Sequence, residues 1–381
     1  MFRVSDRIER MQGSERMQWL AFIAPKGAIR LSIGEPDFPT PIHIKQAATQ
    51  AMQNNFTYYG ARNGDEELRQ AICFSLKRDY GVERKPENVL VTTGGIGGIN
   101  AVCATYLNPG DEALVLDPGY SAYGVSVSFF GGRPVPVPLT DTFHLDLREI
   151  ENRISKRTKM IFLSNPSNPT GAVLTEEEIR GLAGIAKEHN LILIVDEVYH
   201  KLVYEGRRFF SICQVDEMKD QAILLNSFSK TYAMTGWRIG YLIADARILK
   251  GLVLSHASMV TCVNTIAQRA CVTALTESQD CVDAMRAEYN KRRKFVHKAL
   301  QGIERISASP SEGTFYFFPR FEHKFTSKET TDYLAEKGIL VRSGTEFGER
   351  GQKHFRISYS APFKLLEEGM ERLKKALDEL A

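Results

Sequence analysis

Apolar residues in the middle of the chain fall into seven short runs separated by amphipathic stretches. The runs are Val89–Thr93, Ala113–Asp117, Arg133–Val137, Lys159–Ser164, Leu191–Val195, Ala222–Asn226 and Ile239–Ala244. Leu191-Ile192-Leu193-Ile194-Val195 is apolar at every position, the pattern of a strand covered on both faces. Between the runs lie helical stretches such as Thr175–His189, which opens on the capping-box pattern Thr175-Glu176-Glu177-Glu178. Strands alternating with helices predict an α/β domain with a mostly parallel seven-stranded sheet over residues 45–275. The last third changes character. It reads as a long charged helix over Ser278–Leu300, short strands at Ile306–Ala308 and Thr314–Pro319, and a helix at Ser327–Lys337. Strand residues at Val341 and His354–Ser360 and an amphipathic helix over Leu365–Leu380 complete it. This is an α+β pattern, and it predicts a smaller domain assembled from both chain ends, residues 1–44 and 276–381.

Composition removes several function classes. The 381 residues are 43% apolar and 25% charged, and 49 Lys+Arg against 46 Asp+Glu leave a formal +3. Without a basic stripe this is no dedicated nucleic-acid binder, and the apolar content is too high for a disordered chain. No apolar run approaches the roughly eighteen residues of a membrane span. The first eleven residues alternate charged and apolar positions and lack the core of a signal peptide. The 6 cysteines form no CxxC pair and no HExxH occurs, so no metal site is expected. Reduced cysteines fit a cytoplasmic protein.

The unusual residues collect just after the strands. Gly94-Gly95-Ile96-Gly97-Gly98 follows the first run, Pro118-Gly119-Tyr120 the second and Asn165–Gly171 the fourth. Asp196 closes the Leu191–Val195 run, and Ser227-Phe228-Ser229-Lys230 follows Ala222–Asn226. A parallel α/β sheet binds ligands beyond the carboxyl ends of its strands, so these five elements converge on one pocket. Each has a plain reading alone: a tight turn for the glycines, a core aromatic for Tyr120, a structural carboxylate for Asp196, surface decoration for Lys230. Together they offer a helix N-terminus, Ser227 and Arg238 for a phosphate. They also offer Tyr120 to stack on an aromatic ring, Asp196 for a protonated ring nitrogen, and a lysine whose burial would make it nucleophilic. One ligand takes all of these: pyridoxal 5′-phosphate.

At this point the sequence resembles the class I/II aminotransferases of the pyridoxal-phosphate fold type I, the aspartate aminotransferase superfamily. The resemblance runs from Gly34-Glu35-Pro36-Asp37-Phe38-Pro39-Thr40-Pro41 to Phe355-Arg356-Ile357-Ser358. Its most specific stretch is Ser227-Phe228-Ser229-Lys230-Thr231-Tyr232-Ala233-Met234-Thr235-Gly236-Trp237-Arg238-Ile239-Gly240. Asn165–Gly171 and Asp196-Glu197-Val198-Tyr199 support it in the same order.

The resemblance implies a role for each matched residue. Lys230 would carry the cofactor as a Schiff base and shuttle protons, with Asp196 partnering the pyridine nitrogen. Tyr199 and Asn168 would hold the ring's phenolic oxygen, and Tyr120 would stack on the ring. Gly95, Ile96, Ser227, Ser229 and Arg238 would form the phosphate cup. Tyr59 would reach the phosphate of a neighbouring subunit, which implies a homodimer. Arg356, assisted by the backbone of Gly34, would clamp the substrate α-carboxylate. The activity implied is ping-pong transfer of an amino group from an L-amino acid to a 2-oxo acid, with the small domain closing over the bound acid.

Some aspartate-specific relatives place a cation where this chain has Ile96, which makes strict aspartate specificity the weaker expectation. Arg62 is expected in a surface ion pair with Asp65 or Glu66, although it could reach a substrate. Trp19 and Phe22 are candidates either for the side-chain pocket or for an N-terminal arm. The same constellation also supports carbon–sulfur β-lyases, aminocyclopropane-carboxylate synthase-like eliminations and oxidases. A regulator using the same fold as a sensor would need a DNA-binding segment ahead of Gly34, where only about thirty residues stand.

Overall fold

The structure, a computed structural model, describes residues 2–12, 15–20 and 25–380. All seven predicted runs are strands of one sheet: β1 (Val89–Thr92), β2 (Glu112–Asp117), β3 (Arg133–Pro138), β4 (Thr158–Ser164), β5 (Ile192–Asp196), β6 (Ala222–Ser227) and β7 (Gly240–Ile243). Their spatial order is β1-β7-β6-β5-β4-β2-β3. Only β7 runs antiparallel to its neighbours, β1 and β6.

Alternation explains the unbroken apolar runs. Ile161 and Leu163 of β4, with Leu193 and Val195 of β5, pack into one apolar layer. Met160, Phe162 and Ile194 point the other way, into a second layer with Ile99 and Val102 of the helix α1 (Gly94–Tyr106). Successive side chains of a strand face opposite sides, so a sheet covered on both faces needs apolar residues throughout. The helix α2 (Glu176–Glu188) starts as its sequence predicts. The Thr175 hydroxyl accepts from the Glu178 amide at 3.2 Å, and the Glu178 carboxylate accepts from the Thr175 amide at 2.8 Å.

A third apolar cluster joins Ile29 and Leu31 to residues between Met285 and Leu377. Strand Ile29–Arg30 pairs in parallel with Ile339–Leu340, so the two chain ends meet there. The helix α3 (Asp280–Gln301) crosses between clusters, with Val282 in the first layer and Met285, Tyr289 and Val296 in the third. Its buried Arg292 donates to Asp37 at 2.8 Å and to the carbonyls of Ser360 and Ala361 at 2.9 and 2.8 Å. The terminal helix α4 (Phe363–Asp378) buries Leu366, Met370, Leu373 and Leu377 along one stripe, as an amphipathic helix must. The predicted strand around Val341 is two short pieces, Ile339–Leu340 and Arg342–Ser343, with Val341 at the break. The second pairs antiparallel with Phe355–Ser358, which in turn pairs with Tyr316–Phe317.

Candidate active site

The carboxyl ends of β4, β5 and β6, the start of α1 and the Arg342–Arg356 region enclose a cavity of about 480 Å³. Twelve of the thirteen residues proposed from sequence line it: Gly34, Gly95, Ile96, Tyr120, Asn168, Asp196, Tyr199, Ser227, Ser229, Lys230, Arg238 and Arg356. Tyr59 does not; its ring is 89% exposed on the outer surface, beside an equally free Tyr58. Phe22 lies outside the described residues, as does the side chain of Trp19. Arg62 is not in the cavity, and the ion pair expected for it is replaced: Asp65 pairs with Arg269 at 3.3 Å and caps the helix Glu66–Tyr80.

Asp196 sits at the end of β5 with 5% of its surface exposed. Its carboxylate accepts from the Tyr123 hydroxyl at 2.9 Å and from the Val198 amide at 3.1 Å. Burial pushes its pKa up to about 6, and the Tyr123 hydroxyl, the Val198 amide and the Lys230 charge pull it back. The next residue, Glu197, points away and is held by the Ser211 hydroxyl at 2.7 Å and the Ile212 amide at 2.8 Å. Burial pushes its pKa up to about 8, so it adds no fixed negative charge beside the cavity at neutral pH.

Lys230 follows β6 on a short helix, Phe228–Thr231, and its ammonium donates to the Gly34 carbonyl at 2.5 Å. Desolvation lowers its pKa to about 8, helped by Arg356 and Arg238 and opposed by Glu35 and Asp196. Such a lysine exposes a useful fraction of free amine at neutral pH.

The opposite wall is basic. Arg356 donates to the Asn168 side-chain oxygen at 2.9 Å and to the Ser32 carbonyl at 2.8 Å. Both are neutral acceptors, and its buried Nε has no partner. Among the described residues this guanidinium has no counter-anion, which a substrate carboxylate would supply. At the other end α1 presents the amides of its first turn, which have no acceptor within the helix. Gly94 has φ +66°, and a Cβ there would stand 2.5 Å from the Arg238 guanidinium, so glycine is required to bring the turn and the arginine together. Arg238 adopts φ +59° and donates to the Thr235 carbonyl at 2.7 Å, which holds its side chain against that turn. The Ser227 hydroxyl donates to that of Ser229 at 2.8 Å.

Sequence reasoning missed several cavity residues. Tyr316 bonds the Tyr199 hydroxyl at 2.9 Å, and the Arg356 guanidinium lies 4.2 Å from its ring centre. Arg16, Arg342, Glu346 and Phe347 also line the cavity. The segment carrying Glu346 and Phe347 is strapped to β2: the Asp117 carboxylate accepts from the amides of Glu349 and Arg350, both at 3.1 Å. Gly348, at φ +132°, lies against that carboxylate where no side chain fits. Tyr123, which reaches Asp196 from outside the cavity lining, stands three residues after Tyr120 in sequence.

Comparison with known proteins agrees with this geometry. Residues 26–373 match the family model described as aminotransferase class I and II. Aromatic-amino-acid aminotransferase 2 of Thermococcus litoralis is 37% identical over 99% of this chain and 98% of its own length. An aspartate aminotransferase of Pyrococcus abyssi is likewise 37% identical, over 99% of this chain and 98% of its own. The crystal structure of the aspartate aminotransferase from Rhizobium meliloti superposes with a TM-score of 0.94 at 31% identity, covering all of both chains. The chain therefore belongs to the class I and II aminotransferases, and the reaction it catalyses is the transfer of an amino group.

Proposed function

We propose that the cavity binds pyridoxal 5′-phosphate and that the enzyme moves the amino group of an L-amino acid to a 2-oxo acid in two half-reactions. The observation that carries this reading is the meeting of three groups in one cavity: the Lys230 amine with its lowered pKa, the buried Asp196 carboxylate and the Arg356 guanidinium, whose Nε has no partner. The donor set fits the cofactor group by group. The α1 amides of Gly95 and Ile96, with Ser227, Ser229 and Arg238, would hold the phosphate. Tyr120 would stack on the ring, Asp196 would pair with its protonated nitrogen, and Asn168 and Tyr199 would hold its phenolic oxygen. When bound, the cofactor supplies an aldehyde that condenses with amines and a ring that draws electrons from the substrate α-carbon.

The remaining work falls to this chain's own residues. Arg356 takes the α-carboxylate in a planar fork, which fixes the α-carbon relative to Lys230. The Lys230 amine, once free, removes the α-proton and returns it. Asp196, ionised by a cationic partner, keeps that partner protonated. Tyr199, bonded to Tyr316, steers its hydroxyl into the cavity. The relatives named above are aminotransferases, which favours transfer over elimination or oxidation.

Two structural readings accompany this. Residues 45–275 act as a large cofactor domain and residues 1–44 with 276–381 as a small domain closing on it, supported by the separate apolar clusters. The enzyme acts as a homodimer, supported by the exposed Tyr58-Tyr59 pair on a loop that Thr265 holds at the Phe56 carbonyl.

The experiment is a single-turnover one. Protein loaded with pyridoxal phosphate is reduced with borohydride and digested, and the label is expected on Lys230. Unreduced loaded protein is then mixed with single amino acids without an acceptor. One equivalent of 2-oxo acid with retention of nitrogen on the cofactor is the expected result. Release of ammonia instead would overturn the transfer reading.

A further inference from the structure

Thr93 is the N-cap residue of α1, yet its side chain makes no capping bond. In an ordinary cap that hydroxyl would accept from the amide of Gly95 or Ile96, the second and third residues of the helix. A glutamate at the third position would then accept from the amide of the cap residue itself. Here the third residue is Ile96, and both Gly95 and Ile96 line the cavity. The Thr93 amide is answered from outside the helix: it donates to Nε2 of His256 at 3.3 Å. His256 stands on the helix Ala246–Val260, which packs along α1, and 1% of its surface is exposed. Space around the turn is tight. A Cβ on Gly97 would lie 3.9 Å from that Nε2 and 3.3 Å from the Thr93 Cβ. A Cβ on Gly240, at the start of β7, would stand 2.7 Å from the Gly94 carbonyl carbon and 2.8 Å from the Gly95 nitrogen. Backbone contact thus supports the turn from one side, and the imidazole holds its entry.

A ring nitrogen that accepts a hydrogen bond carries no hydrogen, so the proton of this imidazole is on Nδ1. Burial lowers the pKa of His256, which keeps the ring neutral at pH 7. Nδ1 is buried without a partner. An unpaired buried N–H costs stability, and an apolar side chain would fill the same space without it. Among the described residues the ring's hydrogen bond to Thr93 is the one contact that answers this cost.

We propose that His256 is a positioning residue of the phosphate-binding turn: its Nε2 takes the place of the missing capping-box glutamate and fixes the Thr93 amide, so that the amides of Gly95 and Ile96 stay ordered and unclaimed for a phosphate. The inference rests on the reading that the cavity holds pyridoxal 5′-phosphate. A cap supplied by α1 itself and a bound anion would compete for the same two amides. Support from a second helix removes that competition. A turn ordered before its ligand arrives loses less freedom on binding, and the gain is confined to ligands that carry the phosphate. His256 does not line the cavity, so it acts through the turn alone.

The test titrates cofactor-free protein at pH 8 with pyridoxal phosphate, pyridoxal and inorganic phosphate. His256→Leu is expected to weaken pyridoxal phosphate and inorganic phosphate by about tenfold, the loss of one hydrogen bond, and to leave pyridoxal within about twofold. His256→Gln, whose side-chain oxygen can accept from the same amide, should recover most of that loss. His256→Asn, too short to reach, should behave as His256→Leu does and replaces it if the leucine variant does not fold. Residue-resolved hydrogen exchange should find the Thr93 amide protected in the native protein and open in the leucine or asparagine variant, with Val102 of α1 protected in both. Nitrogen NMR of native His256 should place the ring proton on Nδ1. Equal weakening of pyridoxal and pyridoxal phosphate would overturn the proposal, because it marks damage to the whole cavity. So would an unchanged phosphate affinity, a glutamine variant as weak as the asparagine one, or a ring proton on Nε2. If pyridoxal phosphate does not bind while inorganic phosphate still depends on His256, the cofactor reading fails and the support of the turn stands. If Lys230 takes the cofactor with an affinity indifferent to His256, the cofactor reading stands and this inference fails.

Discussion

The hydroxyl of Tyr316 occupies the space that a side chain on Gly34 would need. That hydroxyl bonds Tyr199 at 2.9 Å, and the Gly34 carbonyl accepts from Lys230 at 2.5 Å. A single backbone position thus bears on both the Tyr199–Tyr316 hydroxyl pair and the Lys230 amine. Gly34→Ala must displace the Tyr316 ring, at a cost of about 1–3 kcal/mol for an overpacked site. A drop of about tenfold or more in kcat/KM is expected, with a folded circular dichroism spectrum and a Tm lower by a few degrees. Native kinetics in this variant would show that the Tyr199–Tyr316 bond has no part in catalysis.

The Tyr123 hydroxyl supports Asp196 from behind, and Tyr123 itself stacks on Phe162 at 5.2 Å between ring centres, so Tyr123→Phe keeps the packing and removes only the donor. Burial already pushes Asp196 up to about 6, and the substitution removes a hydrogen bond that holds it down. Fewer molecules then carry the ionised carboxylate near neutrality. The acidic limb of the pH–rate profile should move upward, and pyridoxal phosphate should bind more weakly at pH 6 than at pH 8. In cofactor-free protein the folded Asp196 holds its proton to a higher pH than the unfolded chain does. Stability contributed by this group therefore declines as pH rises from the ordinary carboxylate range to about 6, and the substitution extends that decline upward. A pH profile that superimposes on the native one would remove Asp196 ionisation as the quantity Tyr123 controls.

The residues legible in the sequence and those that were not differ in what determines them. Gly94–Gly98, Asn168, Asp196 and Lys230 announce themselves because each ends a strand or closely follows one, and strand ends in a mostly parallel sheet converge by topology. The central strands were readable because burial on both faces leaves a nearly unbroken apolar run, as in Ile192–Asp196. Arg342 and Glu346 carry no such mark. Arg342 enters the cavity only because the antiparallel register sets it opposite Arg356, and Glu346 follows because Asp117 holds its segment. Tyr316 reads as one more aromatic of an apolar strand, and its hydroxyl acquires meaning only beside Gly34. Pairing between distant segments decides these roles, and a local pattern does not contain it.

Lys230 gives the cofactor-free protein a distinctive pH response. Its pKa is lowered to about 8, mainly by desolvation, from the 10.5 of a free lysine. Between those values the unfolded chain binds more protons than the folded one, so stability rises with pH across that window. Below pH 8 the cost of the desolvated ammonium is fully present. Lys230→Met should therefore melt at a higher temperature than native cofactor-free protein at pH 7, with the gap narrowing by pH 10. Parallel melting curves at every pH would contradict a buried charge at this position.

Tyr59 provides a test of where one active site ends and the next begins. Its ring is 89% exposed, yet the backbone beside it is anchored: the Thr265 hydroxyl donates to the Phe56 carbonyl at 2.6 Å. An exposed but fixed tyrosine suits a hydroxyl delivered to the phosphate bound by a second copy. Tyr59→Phe is expected to weaken pyridoxal phosphate binding by about tenfold, the loss of one hydrogen bond to a charged group, while the solution mass is expected to stay that of the proposed homodimer. Mixing Tyr59→Phe chains with Lys230→Ala chains separates action across the interface from action within a chain. In the mixed dimer, the site on the Tyr59→Phe chain keeps its own Lys230 and receives Tyr59 from the Lys230→Ala chain. If Tyr59 acts across the interface, that site regains native cofactor affinity on mixing. If it acts within its own chain, or if the protein is a monomer, every site that can form the lysine linkage stays weak.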